Sequence, residues 1–91
     1  MRLLVVEDDP DLNRQLVTAL SDAGYAVDTV FDGEEGHFMG DTEPYDAIVL
    51  DLGLPKMDGI SVLEQWRRDD KKMPVLILTA RDRWSDKVAG F

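Results

Sequence analysis

Acidic side chains follow two of the short apolar runs in this sequence, at the point where each run ends. Glu7 and Asp8 come directly after the first run, and Asp51 comes directly after the third. Thr79 follows the fourth run in the same way. An aspartate carboxylate can attack phosphorus to form an acyl phosphate, and carboxylates without histidine or cysteine partners favour Mg²⁺ over zinc. The residue types therefore predict magnesium-assisted phosphoryl chemistry if folding brings them together.

A cation is needed at such a site because three close carboxylates repel one another. Two unit charges roughly 4 Å apart cost on the order of 1 kcal/mol in water and about 4 kcal/mol at the effective dielectric of a protein surface. A divalent cation removes this penalty and neutralises the charge that spreads over a transferred phosphoryl group. The hydroxyl of Thr79 is suited to donate a hydrogen bond to a phosphoryl oxygen.

Each acid also has a purely structural interpretation, because an acid after a strand is often only a helix cap. That interpretation is the better one for Asp9, which is followed by proline. For the other acids the conjunction favours a functional site: an acid pair after the first run, one acid after the third and a threonine after the fourth.

The elements that must position these residues alternate between strands and helices. Apolar runs and alternating patterns predict four strands, at residues 3–6, 25–30, 47–50 and 75–78. A first helix begins at Asp9-Pro10, carries leucines at helical spacing and stops at Gly24. Parallel strands joined by helices predict a doubly wound α/β fold with helices on both faces of the sheet. Ligands bind at the carboxyl ends of such strands, where the candidate residues are expected to meet.

Two more helices complete the predicted alternation. Asp32 and Glu35 are placed to form a capping box for a second helix through about Asp41, although two glycines lower its helix propensity. Asp58 caps a third helix. Its predicted inward positions are Ile60, Leu63 and Trp66 or Arg67. A further helix is predicted to begin near Trp84.

Composition narrows the class of protein. The 91 residues, 44% of them hydrophobic, suffice for one globular domain. Asp and Glu outnumber Lys and Arg by 19 to 10, so we expect no direct contact with nucleic acid by this chain. The chain has no cysteine, which suits a reducing cytoplasm, and its first apolar stretch is too short for a signal peptide or a membrane span.

Three motifs carry a resemblance to a known family. They are Val5-Val6-Glu7-Asp8-Asp9, Leu50-Asp51-Leu52-Gly53-Leu54-Pro55 with Asp58-Gly59, and Leu78-Thr79-Ala80-Arg81. In this order they resemble the receiver domain of bacterial two-component response regulators, over the whole chain. The stretch 51–67, with 79–81 and Trp84, most resembles PhoP-type members of the OmpR/PhoB class. The resemblance implies a flavodoxin-like, CheY-like receiver fold over residues 1–91.

The resemblance also implies a role for each candidate residue. Asp51 matches the phospho-acceptor, and Asp8 and Asp51 match the side-chain ligands of Mg²⁺, with the backbone carbonyl of Gly53 as a third protein ligand. Glu7 matches an acid that binds the metal through water, and Thr79 matches the switch hydroxyl. The implied donor is a phosphohistidine of a sensor histidine kinase that docks near the first helix. The implied output is transcription control through a DNA-binding domain outside this chain, so the chain itself is not expected to be an enzyme.

The match is incomplete at the C-terminal end. Receiver domains continue to a fifth strand and helix, and that strand carries a lysine followed by proline. The lysines of the second half of this chain do not occupy that place; they are Lys56, Lys71, Lys72 and Lys87. We therefore expect an incomplete domain in which phosphorylation is slower or absent. The fourth strand is expected to be an unprotected edge, covered by a homodimer, a segment-swapped dimer or aggregation.

Two other functions compete with this interpretation. A haloacid-dehalogenase-type phosphatase also uses an aspartate nucleophile and Mg²⁺, but it needs a second acid two residues later, where Gly53 stands. A receiver-like interaction module that is never phosphorylated is the other alternative. Two further residues have structural interpretations: His37 is expected to be a solvated surface histidine, and Trp66 is expected to pack between helices.

Overall fold

The structure, a computed structural model, describes residues 1–78. Strands and helices alternate throughout this range. The strands are β1 (Arg2–Val6), β2 (Ala26–Val30), β3 (Ala47–Asp51) and β4 (Val75–Leu78). The helices are α1 (Pro10–Asp22), α2 (Gly33–Thr42) and α3 (Gly59–Arg68). The predicted elements are confirmed with small shifts at their ends, whereas Thr79 and the helix predicted near Trp84 lie outside the described residues.

The four strands form one parallel sheet in the order β2-β1-β3-β4. The strand order reverses beside β1, as in a flavodoxin-like doubly wound sheet, and this confirms the predicted fold class. Val6 of β1 lies opposite Leu50 of β3. Glu7, the residue after β1, and Asp51, the last residue of β3, therefore lie at the same level on neighbouring strands.

Both faces of the sheet are covered, which explains the continuous apolar runs of the central strands. The even-numbered apolar residues of β1 and β3 join one core cluster with Val62 and Trp66 of α3. Odd-numbered residues point to the other face, where Thr29 lies opposite Val5 and its hydroxyl donates to Asn13 of α1. A strand that is buried on both faces needs no polar alternation.

Helix α2 forms despite its glycines because they allow close packing. An added Cβ at Gly36 would lie 2.7 Å from a methyl group of Val6, and one at Gly40 would lie 2.3 Å from the ring of Trp66. Asp32 caps the helix, with its carboxylate accepting the N–H of Glu35 at 2.8 Å. The residues that lower helix propensity are thus the ones that bring α2 against β1 and α3.

The predicted inward face of α3 was partly wrong. Ile60 is 47% exposed, whereas Val62 and Trp66 are fully buried. Leu63 is half-buried and packs against the core cluster. The helix has two apolar stripes one residue apart, and contact with β3 and α2 selects the stripe that contains Gly59, Val62 and Trp66.

In residues 1–78, no helix has both the length and the apolar character needed to cross a membrane.

Candidate metal centre

Three carboxylates meet at the carboxyl edge of the sheet. Glu7 and Asp8 follow β1 and Asp51 ends β3, and one carboxylate oxygen from each lies within 4.8 Å of the other two. The register explains this arrangement, because Val6 and Leu50 are paired neighbours in adjacent strands. The structure thus brings together three of the residues that the sequence placed in one site.

Asp51 is one of the two buried members of this acid cluster. Its residue is only 4% exposed, and its Oδ1 is buried without a hydrogen-bond partner among the described residues. Burial raises the pKa of the Asp51 carboxyl, and the negative charge of Asp8 raises it further. The backbone N–H groups of Gly53 and Leu52 act against this rise. An unpaired, buried carboxylate oxygen is costly unless a cation or a covalent partner satisfies it.

Glu7 is also buried, with 2% of its surface exposed. Burial raises the pKa of its carboxyl from an ordinary 4.5 to about 7, and the negative charges of Asp51 and Asp8 add to the rise. The N–H of Asp9 donates to Glu7 Oε2 at 2.9 Å and partly offsets this. A proton on Glu7 is therefore one way for the metal-free protein to reduce repulsion within the cluster.

The donor set fits a hard divalent cation. All three side chains offer oxygen, the two buried ones have raised pKa values, and Asp8 is exposed and leaves the cluster open to solvent. Mg²⁺ uses one or two carboxylates and keeps several waters, which suits a partly open site. Burial is the main cause of the raised pKa values, and repulsion between the acids is a smaller cause that a cation would remove.

The loop after Asp51, residues 52–58, is held at the start of α2. The N–H of Gly33 donates to the carbonyl of Pro55 at 3.2 Å, and a Cβ on Gly33 would overlap the carbonyl oxygen of Met57. Lys56 adopts a left-handed backbone with φ of 68°, and its Nζ lies 3.6 Å from Asp32. Lys56 thus pairs with the cap of α2 and not with the acid cluster.

The predicted roles of the site residues stay predictions, including those of Gly53 and Thr79. The backbone carbonyl of Gly53 was predicted to bind Mg²⁺, and the geometry described here does not test that assignment. Thr79, the predicted switch hydroxyl, lies outside the described residues.

Sequence reasoning missed two polar residues that support the site. Asn13 of α1 is 2% exposed, and its Nδ2 donates to the backbone carbonyl of Glu7 at 2.9 Å. The hydroxyl of Thr29 donates to Asn13 Oδ1 at 2.6 Å. A usable signal was present: Asn13 lies three and seven positions before Leu16 and Leu20, on the inward side of an amphipathic helix.

The expectation for His37 was wrong. The residue is half-buried, its Nε2 is buried without a hydrogen-bond partner among residues 1–78, and its carbonyl accepts the indole N–H of Trp66 at 3.2 Å. The burial of His37 follows from the close approach of α3 to α2. No local sequence pattern shows this approach. The expected packing role of Trp66 is confirmed, since this residue is fully buried.

Comparison with protein families gives a match over nearly the whole chain. The model of the response regulator receiver domain matches residues 3–91. The transcriptional regulatory protein QseB of Haemophilus influenzae is 49% identical over 90 residues, which cover 99% of this chain and 41% of that protein. The transcriptional regulatory protein PhoP of Escherichia coli is 43% identical over 88 residues, covering 97% of this chain and 40% of that protein. The chain thus spans about two fifths of the length of these curated relatives.

Solved structures give the same match in three dimensions. The response regulator TrrA of Thermotoga maritima, solved in complex with Mg²⁺-BeF, superimposes with a TM-score of 0.83 at 30% identity and covers 98% of this chain and 77% of its own. The complex of the histidine kinase ThkA with TrrA gives a TM-score of 0.80 at 34% identity, covering 87% of this chain and 68% of that one. The four-stranded sheet and the helices of this chain therefore have the same fold as both solved structures.

Proposed function

Because the chain belongs to the family of response regulator receiver domains, we propose that it accepts a phosphoryl group on Asp51. The observation that carries this proposal is the geometry of that carboxylate. It is buried at the end of β3, one of its oxygens has no partner among the described residues, and Glu7 and Asp8 lie within 4.8 Å. Among the acids of residues 1–78, this combination supports Asp51 as the proposed nucleophile.

The proposed transfer uses the Asp51 carboxylate, a phosphohistidine donor and a bound Mg²⁺. A carboxylate oxygen of Asp51 forms a bond to phosphorus while the bond from phosphorus to a donor nitrogen breaks, and the electron pair leaves with the donor imidazole. The N–H groups of Leu52 and Gly53 stabilise negative charge on the acceptor carboxylate. A bound Mg²⁺ would neutralise charge on the phosphoryl oxygens. Asp8 and Asp51 would hold it through their side chains, Glu7 would hold it through water, and the carbonyl of Gly53 is the proposed fourth contact.

The proposed donor is a phosphohistidine on a sensor histidine kinase. Support comes from the structurally similar regulator TrrA, which was solved in complex with the histidine kinase ThkA. A histidine kinase makes its phosphohistidine from ATP. We therefore also propose that this chain is located in the cytoplasm. The proposed output is transcription control, because the curated relatives QseB and PhoP are transcriptional regulatory proteins. Contact with DNA is assigned to a part of the protein outside this chain.

Catalytic turnover is not part of the proposal. Receiver domains of this family are regulatory, and the second acid that a haloacid-dehalogenase-type phosphatase needs is replaced by Gly53. We therefore expect no steady-state hydrolysis of a chromogenic phosphate ester. Turnover with a rate that depends on Asp51 would contradict this assignment.

The test of the site is Mg²⁺ binding followed by phosphorylation. Calorimetric titration with MgCl₂ is expected to show one site, which Asp51→Asn weakens at least about tenfold because the cluster loses one carboxylate. Asp22→Asn, which removes an exposed acid of α1, is the charge-matched control and leaves the affinity within about twofold. Equal affinities in the wild type and Asp51→Asn would overturn the assignment.

Phosphorylation is tested with acetyl phosphate and MgCl₂, followed by mass spectrometry and peptide mapping. Slow modification is expected, at Asp51, with loss in Asp51→Asn and after chelation of the metal. The rate is expected to be low because the family's lysine of the fifth strand has no counterpart among the 91 residues. Modification at another residue would contradict the proposal.

We also propose that the chain associates with itself through β4. This strand ends the sheet of the described residues, and its side chains Leu76 and Ile77 are 63% and 36% exposed. Apolar edge strands pair readily with another strand. The proposed products are a homodimer or a segment-swapped dimer.

A further inference from the structure

We propose that Asn13 is a positioning residue for the metal centre and that it acts through the backbone of Glu7. Asn13 belongs to none of the sequence motifs and carries no carboxylate. The inference is based on its hydrogen bonds. The inference deepens the proposed function, because it names a side chain of α1 that sets where two of the three acids lie.

The amide of Asn13 is completely engaged. Its Nδ2 donates to the carbonyl of Glu7 at 2.9 Å and to the carbonyl of Val30 at 3.3 Å. Its Oδ1 accepts the hydroxyl of Thr29 at 2.6 Å. The residue is 2% exposed, so water does not compete for the two bonds from Nδ2, whereas Thr29 itself is exposed. The carbonyls of Glu7 and Val30 can only accept, so they require Nδ2 on their side and leave Oδ1 facing Thr29. The Thr29 hydroxyl, which also lies 3.3 Å from the carbonyl of Val5, completes the arrangement.

These bonds converge on one residue of the acid cluster. The carbonyl of Glu7 accepts from Asn13, and the N–H of Glu7 donates to the carbonyl of Val30 at 3.2 Å. Both backbone polar groups of Glu7 are therefore tied to the end of β2 or to α1. The Glu7 side chain is held by the N–H of Asp9 at 2.9 Å. The turn that carries Glu7 and Asp8 toward Asp51 thus has little freedom to rotate.

Neither aspartate nor leucine at position 13 satisfies this arrangement. Aspartate has the acceptor but lacks both donors, and its charge would be buried beside two carbonyl oxygens. Leucine has a similar volume but removes the Asn13 donor from both carbonyls, and only the carbonyl of Val30 keeps another donor, the N–H of Glu7. Replacing Thr29 by valine keeps the β-branched shape and removes the hydroxyl that donates to Asn13. These differences separate positioning from simple filling of space.

A buried asparagine can also serve stability alone, and the experiment separates the two roles. The Mg²⁺ dissociation constant of the folded protein is measured by calorimetry for the wild type, Asn13→Leu and Thr29→Val, and the free energy of unfolding is measured by urea denaturation for the same proteins. Val62→Ala is the control, because it creates a cavity beneath α3 and leaves every contact of Asn13 in place.

The expected result is a loss of Mg²⁺ affinity that does not follow stability. Asn13→Leu should weaken binding about tenfold, in the range found when groups that orient a metal ligand are removed. Thr29→Val should weaken it by about threefold. Val62→Ala should unfold at lower urea but bind Mg²⁺ within about twofold of the wild type. If Asn13→Leu does not fold, Thr29→Val against Val62→Ala decides the question.

Two outcomes would overturn the inference. One is wild-type Mg²⁺ affinity in the folded Asn13→Leu and Thr29→Val variants. The other is an equal loss of affinity in Val62→Ala, which would show that the site responds only to general stability. Both differ from failure of the proposed function, in which the wild type itself would bind Mg²⁺ no better than Asp51→Asn.

A second readout needs no metal. The N–H of Asp9, which donates to the Glu7 carboxylate, should exchange with solvent faster in Asn13→Leu than in Val62→Ala when both are compared at equal stability. Unchanged protection of this amide in Asn13→Leu would show that the turn does not depend on Asn13.

Discussion

At the scale of single residues, the carboxylate group has two roles in this protein, and its surroundings decide which one it has. Asp32 and Asp58 accept backbone N–H groups at the start of a helix, and these bonds hold the pKa of each carboxyl below its ordinary value. Asp51 and Glu7 are buried beside other acids, and their pKa values are raised. A carboxylate that accepts backbone N–H groups at the start of a helix is stable as an anion, whereas a carboxylate buried beside other acids is stabilised by a cation or a proton.

The first prediction concerns pH and follows from Glu7. Its pKa in the folded protein is about 7, above the ordinary 4.5, so the protonated form favours folding. This contribution is fully present below about pH 4.5 and is lost as the pH rises through about 7, and the raised pKa of Asp51 acts in the same direction. The free energy of unfolding of the metal-free protein should therefore decrease between pH 5 and pH 8, as measured by urea denaturation.

Glu7→Gln should flatten this decrease, because glutamine does not titrate, whereas Asp22→Asn on exposed α1 should leave it unchanged. Added Mg²⁺ should reverse the trend, since it binds the deprotonated cluster more tightly as the pH rises. A stability that rises with pH between 5 and 8 in the absence of metal would refute this account of Glu7.

At the scale of the elements, α2 shows that helix propensity and packing can oppose each other. Glycine costs about 1 kcal/mol relative to alanine inside a helix. Gly36 and Gly40 are nevertheless buried, because they let α2 approach the side chains of Val6 and Trp66. The same approach holds the cap of α2 against the loop that follows Asp51.

The second prediction is that Gly40→Ala destabilises the protein. An added methyl group would lie 2.3 Å from the Trp66 ring, which is fully buried, so α2 or α3 must shift. Overpacking of this kind costs about 1–3 kcal/mol and outweighs the gain in helix propensity. The change is measured as a lower midpoint in urea denaturation, with the fluorescence of the tryptophans as the probe.

Glu34→Ala, on the exposed side of the same helix, is the matched control and should change stability by less than about 0.5 kcal/mol. A Gly40→Ala protein at least as stable as the wild type would show that helix propensity, and not the contact with Trp66, limits α2.

At the scale of the whole molecule, charge and the sheet edge act against each other. The net charge of −9 keeps copies of the chain apart at low ionic strength. The edge strand β4 favours pairing because Leu76 is 63% exposed. Salt screens the repulsion and leaves the apolar contact in place.

The third prediction is that self-association depends on both the net charge and the exposed apolar side chains of β4. Sedimentation should show association that increases with protein concentration and with salt. Leu76→Lys should reduce it at least several-fold, because an edge lysine resists strand pairing. Ile60→Lys, a similar change at an exposed site on α3, should have a smaller effect. A monomer at every concentration and salt level tested would contradict the proposed β4 contact.

The sequence by itself determined the strands, the helix starts and the residues of the acid cluster. Apolar runs, capping aspartates and period-2 or helical spacing are local properties, and the parallel alternation then requires that Glu7, Asp8 and Asp51 share one edge. The tertiary structure alone decided which stripe of α3 is buried, why α2 tolerates its glycines, and that Asn13 holds the turn at Glu7. Those outcomes depend on how closely residues far apart in the chain approach one another, and local sequence patterns do not determine such distances.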